Sequence, residues 1–298
     1  MKHNAPVLLL TYVRVDYARQ VFDAIKKAQP RKFYFYSNRP KSERTDLIEK
    51  NEIIRSWAKE VDWECELHTF FAEEYEDVYP SEKRAFDWFF ENEEEGIIFE
   101  DDCLPSPAFF DYCELMLEKF RDDKRIGIIS GNNLYGEYNP HDTDYLFSHY
   151  FVAWGWATWK DRYQSIDWDD VDINRMINAS VFDAYFNSRG ERELHKKFFS
   201  KLNIKGKWEY MFFLTNIING RINVHPRMNL IQNIGVIGEH NNGKESSAHK
   251  AVISDIENYT VTKPPKYVVE DFLYDEYIYK KICKELPLYN RIKNKFFG

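Results

Sequence analysis

Cysteine is scarce in this chain. There are four in 298 residues, and none falls in a Cys-x-x-Cys pair or at zinc-finger spacing. A disulfide scaffold and a cysteine-built zinc site are therefore excluded, and Cys65, Cys103, Cys113 and Cys283 read as reduced thiols of a cytoplasmic protein. Long apolar runs are also missing. The opening MKHNAPVLLLTYVR holds a run of only four apolar residues, too short for the core of a secretory signal or for a membrane span. The sequons at Asn178-Ala179-Ser180 and Asn258-Tyr259-Thr260 accordingly read as chance matches. Basic charge is in deficit, with 41 Lys and Arg against 49 Asp and Glu and a formal net charge of -8. Neutralising a phosphate backbone needs a basic surface, so nucleic acid is not an expected partner. No internal repeat, low-complexity tract or linker breaks the chain.

What is present is apolar and aromatic: 44% hydrophobic residues, 17% aromatic, ample for a sizeable core. The first half alternates between two periodicities. Residues 6–14, PVLLLTYVR, form a short continuous apolar run of the kind parallel sheets bury. Ala18, Val21, Phe22 and Ile25 then recur at helical spacing behind Asp16, a candidate N-cap. Strands are predicted over 32–40, 64–71 and 96–100, with helices over 43–60 and from Ser81 to 92 between them. A further helix over 105–120 starts on prolines, and a strand over 125–130 follows. Strand–helix alternation with short connections predicts an α/β fold, a mostly parallel doubly wound sheet flanked by helices. In such sheets ligands sit beyond the carboxyl ends of the strands.

The second half is less regular. Residues 151–163 are dense in tryptophan, 170–220 look mostly helical, 221–226 and 229–235 look like strands, and 238–249 form a polar loop. We divide the chain into 1–135 and 136–265, two halves of the same domain, and a tail, 266–298. From Lys280 the tail mixes lysines and arginine with Ile282, Leu286, Leu288, Ile292, Phe296 and Phe297. Such an end can rest on an anionic membrane surface, or pack on the domain as an ordinary helix.

The stretch GIIFEDDCLPSP, residues 96–107, sets Glu100, Asp101 and Asp102 at the tip of a buried strand. Three like charges there call for a positive partner. Breaking the anomeric bond of a nucleotide sugar leaves its diphosphate more negative, and a divalent cation can neutralise it. Mg²⁺ and Mn²⁺ prefer oxygen ligands and take only one or two protein carboxylates besides phosphate and water. A second candidate is Glu209, beside Trp208 at the start of an apolar helix. An aromatic wall desolvates a carboxylate and raises its pKa, which makes a better base. It can equally be an acid that satisfies the helix dipole.

GIIFEDDCLPSPAFF, YFVAWGWATWKDRY, KWEYMFF and NLIQNIG, in that order, resemble a bacterial family of nucleotide-diphospho-sugar glycosyltransferases related to N-acetylglucosaminyltransferase I, with the GT-A fold. The opening strand–helix–strand fits as well, and the resemblance covers most of residues 5–245. It implies that Asp102 is the direct metal ligand, that Asp101 faces the ribose or a metal-bound water, and that Glu100 faces the donor sugar. It implies that Thr11, Tyr12 and Arg14 border the nucleotide and that Ser37 and Asn38 approach the base. Glu209 stands where relatives carry an aspartate base for an inverting single displacement. His240 and His249 lie in a loop where relatives place a histidine close to metal or diphosphate. Trp154, Trp156 and Trp159 are either core or a platform for a sugar ring, with Trp156 preferred for the platform. Two departures stand out. Relatives often have aspartate at Asn38, and they carry a glycine-containing segment where this chain has YEDVYPSEKRAFDWFF, in which Lys83 or Arg84 can meet phosphate or simply face solvent.

The expected function is transfer of a hexose or N-acetylhexosamine from a nucleotide diphosphate, UDP by default, to a hydroxyl of a bacterial surface glycan or lipid-linked saccharide. The expected cofactor is Mn²⁺ or Mg²⁺, and the expected location is cytoplasmic, with peripheral contact at the inner membrane through the tail. Two rivals remain. A sugar-phosphate nucleotidyltransferase uses the same sheet but needs a glycine-rich loop after the first strand, and TYVRVDYARQ has no glycine. A glycan- or nucleotide-binding relative would keep the fold without turnover.

Overall fold

The apolar runs become the middle of an eight-stranded sheet. The computed structural model describes residues 3–168, 171–235, 237–238, 241–242, 253 and 255–285. Its first half runs β1 (Val7–Thr11), α1 (Val15–Ala28), β2 (Lys32–Ser37), α2 (Thr45–Ser56), β3 (Glu66–Phe71), α3 (Val78–Asn92) and β4 (Glu95–Glu100). These four strands pair in parallel in the order β3-β2-β1-β4. Their side chains alternate between two cores, as the pleat requires. On one face Val7, Leu9, Phe33, Phe35, Ile97 and Phe99 pack under α1 and α2. On the other, Leu8, Leu10, Tyr34, Tyr36 and Ile98 meet α3. Strands buried on both sides have no polar face, which is why they read as continuous runs.

The chain continues through β5 (Cys103–Pro105), α4 (Ala108–Phe120), β6 (Ile126–Ser130), β7 (Tyr145–Ser148), β8 (Trp156–Trp159), α5 (Lys160–Gln164), α6 (Ile173–Asn178), α7 (Val181–Tyr185), α8 (Arg189–Phe199), α9 (Trp208–Ile218), β9 (Ile222–Pro226), β10 (Ile231–Asn233) and α10 (Phe272–Glu285). Strand β8 enters antiparallel between β4 and β6, β9 pairs parallel to β6, and β7 closes the sheet antiparallel to β9. The two halves thus share one sheet. Helix α4 lies on the α1 face, and α9 joins α3 on the other through Trp208, Met211 and Phe212. Helices α6 to α9 close a satellite core around Phe182, Phe199 and Phe213. The architecture is the expected α/β one, a central sheet flanked by helices.

Several local expectations are corrected. Helix α1 starts at Val15, so Asp16 sits in its first turn and Arg14 holds the cap position without a side-chain cap bond. Helix α3 starts at Val78 behind Asp77, three residues before Ser81. Ser81 is 3% exposed, and its Oγ is 2.8 Å from the hydroxyl of Tyr36. Strands β7 and β8 were not anticipated. Lys280, where the basic tail was drawn, falls inside α10, and residues 286–298 lie outside the described residues. Tyr274 and Ile278 of α10 are buried with Leu146 and Tyr150. The segment before α10 satisfies the outer edge of β7: Asp144 N–H donates to the Lys263 carbonyl at 2.9 Å and Asp271 N–H to the Phe147 carbonyl at 2.8 Å. The buried Asp275 carboxylate accepts from Ser148 Oγ and from His149 N–H. Among the described residues no helix is long and apolar enough to cross a membrane.

Candidate active site

Parallel pairing sets three carboxyl ends side by side. Thr11 is in register with Ser37, and Leu10 with Glu100. The turn after β4 then carries Asp101 and Asp102 beneath the β1–α1 connection. Both aspartates are almost fully buried, at 3% and 5% exposed. Arg14, at the cap position of α1, reaches across and clamps them together. Its Nη1 donates to Asp102 Oδ2 at 2.6 Å and its Nη2 to Asp101 Oδ1. The Tyr12 N–H adds a weaker bond to Asp101 Oδ2 at 3.4 Å. Burial opposes the charge on Arg14, but the aspartates outweigh it and raise the guanidinium pKa. Burial pushes the Asp101 carboxyl up to about 6, against the pull of Arg14 and with the added push of Asp102.

Asp102 is also held from the second half. Its backbone carbonyl accepts from Ile234 N–H at 2.8 Å, and its Oδ1 from Asn233 Nδ2 at 3.3 Å. β10 pairs with β5 antiparallel, with Asn233 opposite Cys103, which brings this segment in. Gly235 follows, and a Cβ there would lie 2.0 Å from Asp102 Oδ2. The segment 229–235 is therefore a clasp on the acidic turn more than a strand, and Asn233 was not singled out in the sequence.

Two further carboxyls complete the cluster. Glu82, from the second turn of α3, accepts the indole N–H of Trp208 at Oε2, 2.8 Å away. Glu209, next to Trp208, has an Oε2 buried from solvent with no hydrogen-bond partner among the described residues. Burial raises the pKa of Glu209, offset in part by its own backbone N–H and by Lys207. Burial raises Glu82 and Glu100 too, and the charge of Glu209 adds to both. Glu82, Glu100, Asp101, Asp102 and Glu209 thus share one electrostatic neighbourhood with Arg14 as the cation among them.

This donor set suits a hard cation. Its ligating atoms are all carboxylate oxygens, and the Arg14 guanidinium bridges the two aspartates. Among the described residues no three His, Cys, Asp or Glu side chains form a ready cage. His240 and His249 lie outside the described residues.

The remaining sequence candidates divide. Thr11 Oγ1 donates to the Tyr36 carbonyl at 2.9 Å, so its side chain fixes the strand end. Ser37 and Asn38 sit in a buried lattice. Asn51 Nδ2 donates to the Tyr12 carbonyl, Ser37 Oγ and the Asn38 carbonyl at 2.7 to 3.0 Å, and Arg55 Nη2 reaches the Ser37, Asn38 and Ala72 carbonyls. The Asn38 side chain is committed to the next loop: Nδ2 donates to the Glu76 carbonyl at 2.9 Å and Oδ1 accepts from Arg39 N–H at 2.8 Å. Arg84 pairs with the Glu76 carboxylate. Lys83 pairs with Asp87 at 2.6 Å and lies over the Trp168 ring. Trp156 is corrected from platform to core. It is 1% exposed, stacked on Trp208 at 5.3 Å with Phe86 against its edge, which leaves no face for a sugar.

No family model and no curated protein sequence matches the chain. Solved structures with some likeness include a mannosyltransferase from Pyrobaculum calidifontis in complex with GDP-Man and Mn²⁺, at 11% identity and TM-score 0.37 over 74% of this chain and 87% of that one. They include a glycosyltransferase from Streptococcus pneumoniae, at 8% identity and TM-score 0.33 over 76% of this chain and 55% of that one. An apo UDP-glucose pyrophosphorylase is similar at 8% identity and TM-score 0.35 over 83% and 96%. Likeness at this level assigns neither an activity nor a substrate, so the functional reading rests on the acidic cluster itself.

Proposed function

We propose that this protein is a metal-dependent glycosyltransferase of GT-A fold that moves a sugar from a nucleotide diphosphate to a hydroxyl. The observation that carries the reading is the set of three carboxyls, Glu100, Asp101 and Asp102, at the carboxyl end of β4, with one arginine bridging the two aspartates. Asp102, with Asp101 beside it, would hold Mg²⁺ or Mn²⁺. What the bound ion supplies is neutralisation of charge on the departing diphosphate. Arg14 adds a second positive group within reach of phosphate oxygens. The Ser37–Asn38 lattice, pinned by Asn51 and Arg55, offers a rigid wall for the base, and Glu100 faces the donor sugar. Glu209 receives the proton of the acceptor hydroxyl as the new bond forms. Its desolvated carboxylate supports that role, since a raised pKa makes it the stronger base. Direct attack by the acceptor gives inversion. The donor is UDP-linked by default, and the acceptor a glycan or lipid-linked saccharide.

The β1–α1 connection, Tyr12 to Arg14, contains no glycine to wrap a triphosphate, which disfavours nucleotidyl transfer. Purified protein incubated with a panel of nucleotide sugars and Mn²⁺ separates the readings. Release of nucleoside diphosphate supports this one. Pyrophosphate release from a nucleoside triphosphate and a sugar phosphate would replace it, and binding without turnover would reduce the protein to a binding module.

A further inference from the structure

The start of α9 is not fixed by a cap. Lys207 occupies the cap position with no side-chain cap bond, and Gly206 before it adopts a positive φ of 76° with open space where a Cβ would be. What fixes that first turn is Trp208. Its indole is 1% exposed, stacked on Trp156 at 5.3 Å and met edge-on by Phe86 at 5.0 Å. Stacking leaves an indole free to slide in its own plane. One directed contact removes that freedom, the 2.8 Å bond from Trp208 Nε1–H to Glu82 Oε2 on α3. The residue that follows Trp208 is Glu209.

We infer that Glu82 is a positioning residue, which aims the base Glu209 by anchoring its neighbour Trp208 across the α3–α9 junction. The inference rests on the reading of Glu209 as the base. Glu82 carries it by geometry: its Oε2 on α3 accepts the indole N–H of the first residue of α9. A displacement of about 1 Å at a reacting group can lower a rate 10²-fold.

The test is a pair of substitutions at Glu82 read against Trp208→Phe, each in the full chain. Glu82→Leu removes the acceptor and should lower kcat by about 10- to 100-fold, with the Kd for the nucleoside diphosphate and Mn²⁺ unchanged within about twofold. Glu82→Gln keeps a carbonyl oxygen for the indole and should restore kcat to within about threefold of wild type. Trp208→Phe removes the donor and should not add to Glu82→Leu in the double variant, because both break one contact. A Glu82→Gln variant as slow as Glu82→Leu, or fully additive effects, would overturn the inference. If wild type shows no transfer at all, the reading of the function has failed instead, and the tie is read directly. The Trp208 indole N–H signal in ¹⁵N-tryptophan protein should be protected from exchange in wild type and in Glu82→Gln and unprotected in Glu82→Leu. Equal protection in all three would overturn the anchoring role.

Discussion

Replacing Arg14 by methionine tests the electrostatic reading of the acidic turn without any ligand. The side chain keeps most of its length, but the charge and both hydrogen bonds to the aspartates disappear. The aspartate side chains are 4% and 7% exposed, so the carboxylates left behind are not rescued by water, while Arg14 itself is 31% exposed and partly screened. Breaking a buried pair costs about 3–5 kcal/mol, and the arginine's exposure argues for the lower end, about 3 kcal/mol. For a chain of this size that is a fall in Tm of about 6 °C at pH 8. The pH dependence has a definite sign. Asp101 already titrates about 6, above its ordinary 3.8, so it supports the fold when protonated and loses that support as pH rises through 6. Without Arg14 its pKa moves higher still and the loss deepens. The gap between variant and wild type should be widest at pH 8 and shrink to about half at pH 5, where Asp101 is largely neutral in both. Thermal unfolding followed by circular dichroism at the two pH values decides it. An equal fall at both, or none, would refute the view that Arg14 acts as counter-charge to a strained acidic pair.

Asp102→Asn should abolish the Mn²⁺-dependent part of nucleoside diphosphate binding in calorimetry, and unchanged metal-dependent affinity would remove Asp102 from the metal. Glu209→Gln should bind donor normally and lower transfer by about 10²- to 10⁴-fold. In wild type the rate should fall as pH drops through a value above the ordinary 4.5 of a glutamate, because burial raises it and the base must be ionised. Gly235→Ala should drive a methyl into Asp102 and weaken nucleotide binding in the presence of Mn²⁺ by about tenfold, and unchanged binding would remove the 229–235 segment from the site.

How much of this was legible followed from how local the signal was. β1, β2 and β4 could be read because each is apolar on both faces, and α1 because Ala18, Val21, Phe22 and Ile25 trace one stripe. The acidic triplet was legible because charge at the tip of a buried strand is an anomaly within a dozen residues. β8 was not. Its four residues, Trp156 to Trp159, are buried by pairing with β4 and β6, and nothing in WATW distinguishes a sheet centre from an aromatic platform. That is also why Trp156 was misread. Glu82 escaped notice as one of several charges on α3, and a start placed at Ser81 in place of Val78 obscured the turn from which it faces α9. Asn233 reaches Asp102 from 131 residues away, a pairing no local pattern announces.

The way β7 is finished bears on how the chain can be trimmed. Its outward backbone groups are taken by Lys263 and Asp271, and the buried Asp275 seals the corner beyond. A shortened form ending before residue 263 would bare a lateral ladder rung that another molecule's strand can occupy. Such a truncation should come out as insoluble assemblies long before the acidic cluster itself is disturbed, so a shortened protein that fails to express would report on this border and not on the chemistry.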